Sequence, residues 1–235
     1  MAKKMFLLFL ILNFNMTYSQ KLDNSLHKKW LVYNTLNKAL NGWVSFTDNY
    51  ILDFTNNKNL KIKTLGDSKI ESVKYSFNSD TGIVYEDNGD ILYKVKKIST
   101  DQLVLVMGEK SETEVFLTPL VDAVSKIDLI SLNNTLKEKK WTNKDDSVEF
   151  IDEKYVIKNE IDTNFKIFTE TNNKTKKEHR GAWLIDSYEN IVFLELFSER
   201  TNHKAVYVLK KLNESYLKGD AFNKEGEFLK LELFR

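Results

Sequence analysis

The chain writes one stretch of itself twice. YKVKKISTDQL…VFLTPL, starting at Tyr93, returns as YVLKKLNESYL…FLKLELF, starting at Tyr207, at a constant offset of 114 positions. Tyr93, Lys96, Lys97, Leu103 and Leu117 recur as Tyr207, Lys210, Lys211, Leu217 and Leu231. Val95, Ile98 and Val115 return as the apolar residues Leu209, Leu212 and Leu229. Both copies read strand–turn–strand–turn–strand. A duplicated unit keeps its pattern longer than its letters, so the chain is constrained to two similar β-rich halves.

Each half starts with a helical pattern. Leu22, Leu26, Trp30, Tyr33, Leu36 and Leu40 fall at steps of three and four, one apolar stripe of a helix. Asp23 or Asn24 could cap it, and Asn41-Gly42 supplies a stop. After Trp43 the period changes to two. Val44 to Thr47, Tyr50 to Thr55, Asn59 to Thr64, Val73 to Phe77, Gly82 to Tyr85, Ile91 to Ile98, Gln102 to Met107 and Glu114 to Thr118 read as eight strands, separated by Asn/Asp/Gly/Ser turns. The only proline, Pro119, sits where they stop, as suits a residue that cannot donate to a ladder. Val121 to Lys139 carries a second helical stripe, and Asn34-Thr35-Leu36 reappears in it as Asn134-Thr135-Leu136. Trp141 then stands in the place of Trp43. Eight more strands follow: Ser147 to Ile151, Tyr155 to Lys158, Phe165 to Thr169, Gly181 to Asp186, Ile191 to Phe197, Lys204 to Lys211, Tyr216 to Asp220 and Glu227 to Phe234. Glu170 to Arg180 reads as the most polar loop.

The first residues set the expected compartment. Lys3 and Lys4, the apolar run Met5 to Leu12, and Thr17 and Ser19 before Gln20 have the layout of a cleaved secretory signal, residues 1–19. That run is far short of the ~20 residues of a membrane span. The chain has no cysteine, which excludes acylation at the cleavage point and points away from disulfide-stapled extracellular domains. We expect a bacterial periplasmic or secreted protein with no membrane span and no lipid anchor. Loss of residues 1–19 removes two lysines and no acid, so 35 basic residues become 33 against 34 acidic, a net charge of −1. Nucleic-acid binding wants a basic field and arginine forks, and the arginines are only Arg180, Arg200 and Arg235.

With Gly42-Trp43, Phe54 before Asn56-Asn57, Tyr93 to Ile98, and Leu103 with Leu105, the first half resembles the lipocalin-like (calycin-type) family of small bacterial envelope proteins. In the second half the same pattern runs through Trp141, Phe150 with Asp152, Gly181-Ala182-Trp183, Tyr207 to Leu212 and Leu217. The first half has Tyr75 and Phe77 where the mid-domain tryptophan belongs. In the second, Lys218-Gly219-Asp220 interrupts the final apolar run. The resemblance implies an all-β chain: two tandem small up-and-down antiparallel β-barrels, each preceded by an N-terminal α-helix, after the cleaved signal peptide. Their spans would be residues 20–120 and 121–235. Lipocalin-like relatives commonly bind small apolar ligands, although small barrels can equally fill their interiors.

Catalytic constellations are absent from the sequence: there is no Gly-x-Ser-x-Gly and no Cys, and His27, His179 and His203 show no ligand spacing. His179, between Glu178 and Arg180, is the one histidine placed where a charged loop over a barrel mouth could touch a ligand. Asp145-Asp146, Asp87 with Asp90, and Glu109 with Glu112 and Glu114 fit turn chemistry better than a calcium loop. We therefore expect no metal, no cofactor and no catalytic residues. The reading is a non-enzymatic binding protein with a small apolar or amphipathic ligand in a barrel, its ligand-binding residues not assignable from sequence. The alternative is an envelope protein–protein interaction module (an inhibitor, immunity factor or assembly accessory) with filled barrels.

Overall fold

The computed structural model describes residues 25–37, 42–43, 49–107, 113–120, 128–137, 140–143, 146–157, 160–198, 203–222 and 228–235. The chain divides into two compact units, Met1–Val121 and Asp122–Arg235. In the first, β1 (Lys29–Asn37), β3 (Tyr50–Asp53), β4 (Asn59–Thr64), β5 (Ile70–Asn78), β6 (Ile83–Glu86), β7 (Ile91–Ile98), β8 (Leu103–Met107) and β9 (Thr113–Pro119) form an antiparallel meander. It closes into a barrel where β9 returns to β1, from Trp30–Pro119 to Asn37–Thr113. A two-residue strand, β2 (Gly42–Trp43), pairs with the far end of β1. In the second unit, helix α1 (Leu129–Leu136) precedes a closed barrel. Its strands are β10 (Lys140–Thr142), β11 (Asp146–Ile157), β12 (Glu160–Asn172), β13 (Glu178–Tyr188), β14 (Ile191–Ser198), β15 (His203–Asn213), β16 (Tyr216–Phe222) and β17 (Phe228–Phe234). Two tandem eight-stranded antiparallel barrels are thus the architecture, each around its own apolar core.

The expected first helix is corrected. Leu26 lies in a helical turn, but Trp30, Tyr33 and Leu36 belong to strand β1. The helical stripe skips Leu31 and Val32, yet both are buried. Trp30 and Val32 join the core, and Leu31 is buried on the opposite face of the same strand. Apolar residues on both faces satisfy a three-and-four spacing by coincidence, and an aromatic and β-branched run favours the strand. The second helix is present over Leu129–Leu136, capped by Asp128, whose carboxylate accepts from the Ser131 N–H at 2.8 Å. Residues 1–24, the strand expected at 44–47, Asn41, Glu109, Glu112, residues 121–127 and Asp145 lie outside the described residues.

Register also corrects how the halves correspond. Trp30 pairs with Leu52 and Trp141 with Val148, so Trp30, not Trp43, is the counterpart of Trp141. The β7–β8 and β15–β16 hairpins do match at 114 positions. Ile98 faces Leu103 and Leu212 faces Leu217, and each hairpin has its register shift at the repeated lysine, between Val95 and Lys97 and between Leu209 and Lys211. Lys96 and Lys210 recur because they occupy the same bulge. Beyond that hairpin the offset grows. Leu103 pairs with Leu117 but Leu217 pairs with Leu233, which makes Leu233, not Leu231, the counterpart of Leu117. The second barrel also reaches eight strands differently: the two strands expected between Ser147 and Lys158 are one, β11, and Lys140–Thr142 supplies another.

Asparagine and glycine make the turns. Asn56 Oδ1 accepts from the Lys58 and Asn59 N–H groups, and Asn78 Oδ1 from Asp80 and Thr81 before Gly82 at φ 69°. Gly181 has a packing role instead. A Cβ there would lie 2.1 Å from the Phe197 carbonyl oxygen and 2.4 Å from the Phe168 ring, which lies against the bare glycine. Gly219, the interruption noted in the final apolar run, likewise leaves room for Leu209 and Tyr207, 3.1 and 3.2 Å from where its Cβ would be. Overpacking a β-barrel core at a site bounded by backbone costs about 1–3 kcal/mol. Gly181→Ala is accordingly expected to lower stability by about that amount in urea denaturation, with an unchanged far-ultraviolet spectrum.

Candidate functional site

Each barrel is closed at one end by a buried tryptophan bonded to the backbone just ahead of its first strand. In the first barrel, the Trp30 indole N–H donates to the Leu26 carbonyl at 3.0 Å, with both residues fully buried. Phe54 meets Tyr75 edge-on, ring centres 5.4 Å apart, and the Tyr75 hydroxyl and His27 Nδ1 lie 3.5 and 2.9 Å from the Phe54 carbonyl oxygen. In the second, the Trp141 indole N–H donates to the Leu136 carbonyl at 3.3 Å. Phe150 meets Trp183 edge-on at 5.3 Å, and the Trp183 N–H donates to the Ile151 carbonyl at 3.3 Å. Tyr75 is thus the counterpart of Trp183, which accounts for the missing mid-domain tryptophan. A cation lies over each floor tryptophan: Lys28 Nζ is 5.8 Å from the Trp30 ring centre, and the Arg235 guanidinium is 4.5 Å from that of Trp141 and donates to the Thr135 carbonyl. His27 therefore belongs to a floor.

Inward side chains are not all buried alike, and half-buried ones lie towards both ends: Phe77 and Ile98 at the Trp30 end of the first barrel, and Ile185 and Leu212 at the Trp141 end of the second. Leu52, Phe54, Leu60, Leu103 and Leu117 are fully buried in the first barrel, but the inward positions nearer the rim, Tyr50, Ile62 and Met107, are only half-buried. Tyr93 stands between the two layers, 7% exposed. Burial pushes its phenol up to about 12, and raises Tyr50 further with the help of the charge Tyr93 would carry. In the second barrel, half-buried inward residues away from the Trp141 end include Leu196, Tyr207 and Leu231. Tyr207 holds the position of Tyr93: Tyr93 pairs with Val84 and Tyr207 with Leu194, both fully buried. Its phenol is raised by burial and then by the charge of Glu170.

That carboxylate and His179 were expected in a loop. The structure places Glu170 on β12 and His179 on β13, directly paired across the strands. Only Asn173–Thr175 turns; Asn172 Oδ1 accepts from the Lys174 and Thr175 N–H groups, and Lys176 takes φ 57°. Glu170 also pairs with Val148 of the core, and it follows the core residue Phe168 by two positions, so it shares the inward face. His179 precedes Gly181 and Trp183 at the same alternation. The neighbouring Arg180 alternates outward, 3.7 Å from Glu178. His203 starts β15 opposite Ser198. Sequence reading missed Glu170; its signal was the two-residue spacing from Phe168.

The other expected polar groups stay local. Asp87 pairs with Lys74 at 3.9 Å, Asp90 accepts from Asn88, and Asp146 accepts from Asn172. Glu114, 4% exposed at its side chain, takes Lys96 on both oxygens at 2.7 Å. Among the described residues no three His, Cys, Asp or Glu side chains gather as metal ligands, and no helix is long and apolar enough to cross a membrane. What the barrels do bring together is phenols, with one carboxylate and one imidazole in the second, over apolar walls. Such a set can hold a polar group above an apolar body.

Tyr93 keeps its proton in the folded state from pH 10 to about 12, where the unfolded chain has lost it. Its contribution to stability is complete below pH 10 and disappears as pH rises through about 12. Urea denaturation across that window is expected to show the decline, and Tyr93→Phe to remove this part of it. Ultraviolet titration of the folded protein should show one fewer late-ionising phenol in the variant. Comparison with known proteins finds no matching protein-family model and no matching curated protein.

Proposed function

We propose that this chain is a lipocalin-like, non-enzymatic binding protein, exported to the periplasm or surroundings of a bacterial cell, which holds a small apolar or amphipathic ligand within its barrels. The observation that carries the reading is that each barrel keeps half-buried apolar and phenolic side chains on its inward face, over a core closed by a buried tryptophan. Floors are closed by Trp30 and Trp141, while Tyr50, Ile62 and Met107, and Leu196, Tyr207 and Leu231, face inward and keep contact with solvent. Ligand pockets typically combine apolar walls with a few polar groups, and buried phenols supply donors without charge. Export rests on the arrangement of Lys3, Lys4, the Met5 to Leu12 run and Ser19.

Native mass spectrometry of the protein, purified gently from its own host and then denatured, tests the reading. A small mass that co-purifies and is lost on denaturation is the expected result. Ile62→Trp, which fills the rim of the first barrel, is expected to reduce that barrel's share of the bound mass without unfolding the chain. A bare protein, or one that carries a second polypeptide, would replace this reading with an envelope interaction module.

A further inference from the structure

The two lumens present different chemistry at the same layer, and register makes the comparison position by position. In the first barrel Leu52 pairs with Ile62 and Ile62 with Glu71. In the second, Val148 pairs with Glu170 and Glu170 with His179. Below them, Leu60 pairs with Val73 as Phe168 pairs with Gly181. Glu170 therefore occupies the place of Ile62, an apolar residue packed on the core, and His179 that of Glu71, an exposed residue 3.4 Å from Lys69. The duplicated architecture has kept its floor and its tyrosine and exchanged an aliphatic side chain for a carboxylate one layer inside the rim.

We propose that the second barrel selects cationic amphiphiles: an amine or quaternary ammonium head held by Glu170 and Tyr207, over an apolar body lying against Leu196 and Leu231. This rests on the ligand-binding reading above and names the ligand class of one of its two lumens. Two observations converge on it. The inward register of Glu170 beside Val148 and Phe168 places a carboxylate where its twin is aliphatic. Tyr207, itself packed against the core, has a phenol raised first by burial and then by the charge of Glu170. A carboxylate attracts a cation most strongly where apolar walls thin the surrounding water, and aromatic faces favour alkylammonium groups. The first barrel, with Tyr50, Tyr93 and Ile62 at this depth, would show no such preference.

Isothermal titration of the full chain with three twelve-carbon probes below their micelle concentrations tests the proposal: dodecyltrimethylammonium, dodecyl maltoside and dodecyl sulfate. The cationic probe is expected to bind best, with an affinity that falls as salt is added. Glu170→Gln should weaken it by about ten-fold, the scale of one lost charged contact, and leave the maltoside unchanged. Glu170→Asp should retain the preference, and Glu71→Gln, at the first barrel's rim, should alter nothing. Equal affinity for the cationic and neutral probes in the unmodified protein overturns the proposal whatever the variants do, as does a Glu170→Gln chain that melts normally and binds the cation undiminished. Binding of the neutral probe without charge preference would leave the general reading standing and remove this one; no binding of any probe removes both.

Discussion

The indole N–H of Trp30 bonds to the Leu26 carbonyl and that of Trp141 to the Leu136 carbonyl, and much of each barrel depends on that pair. A closed sheet satisfies its own edges but leaves two open ends through which water would reach the core. At one end the leading segment supplies a buried leucine as a plug. The segment's last carbonyls have no helical partner, and the indole satisfies one of them while its ring fills the space beneath. Phe54 with Tyr75, and Phe150 with Trp183, complete the layer by edge-to-face contacts that stabilise beyond their buried area. With the floor fixed in this way, the opposite end is free to vary.

That division matches how the two halves have diverged. Floor positions keep their chemistry even where the letter changes: tyrosine replaces tryptophan at Tyr75 and still sends its polar atom towards a backbone carbonyl. The repeated Lys96 and Lys210 mark a bulge, a backbone feature, whereas only Lys96 lies against a nearly buried glutamate. One layer inside the rims the chemistry itself changes, with Ile62 against Glu170 and Glu71 against His179.

Two barrels, and strands such as Asn59–Thr64 and Ile91–Ile98, were legible in the sequence because period-two alternation bounded by Asn and Gly turns is a local signal. What was not legible depended on pairing. Trp30 was read as helical because Leu31 and Val32 are buried on opposite faces of one strand, a fact that only closure against β9 and β3 creates. Trp43 was matched to Trp141 by distance along the chain, but register assigns that place to Trp30. Glu170 and His179 looked like loop residues because the segment is polar throughout. Cross-strand backbone pairing holds this hairpin with few apolar residues, so polarity concealed the strands that give those two side chains their direction.

The seams that close the barrels are unequal, and this bears on motion. The first seam runs the length of β1, from Trp30–Pro119 to Asn37–Thr113, whereas β10 has three residues and meets β17 at Thr142–Phe234, supported by the Thr142 hydroxyl on the Phe234 carbonyl at 3.1 Å. Local opening follows the least-paired backbone. In the second unit the path of lowest resistance therefore lies between β10 and β17. Amide protons there should exchange with solvent ahead of those along β1 and β9. Breathing at that seam would loosen the wall beside Trp141 while the hairpin bearing Glu170 and His179 stays paired.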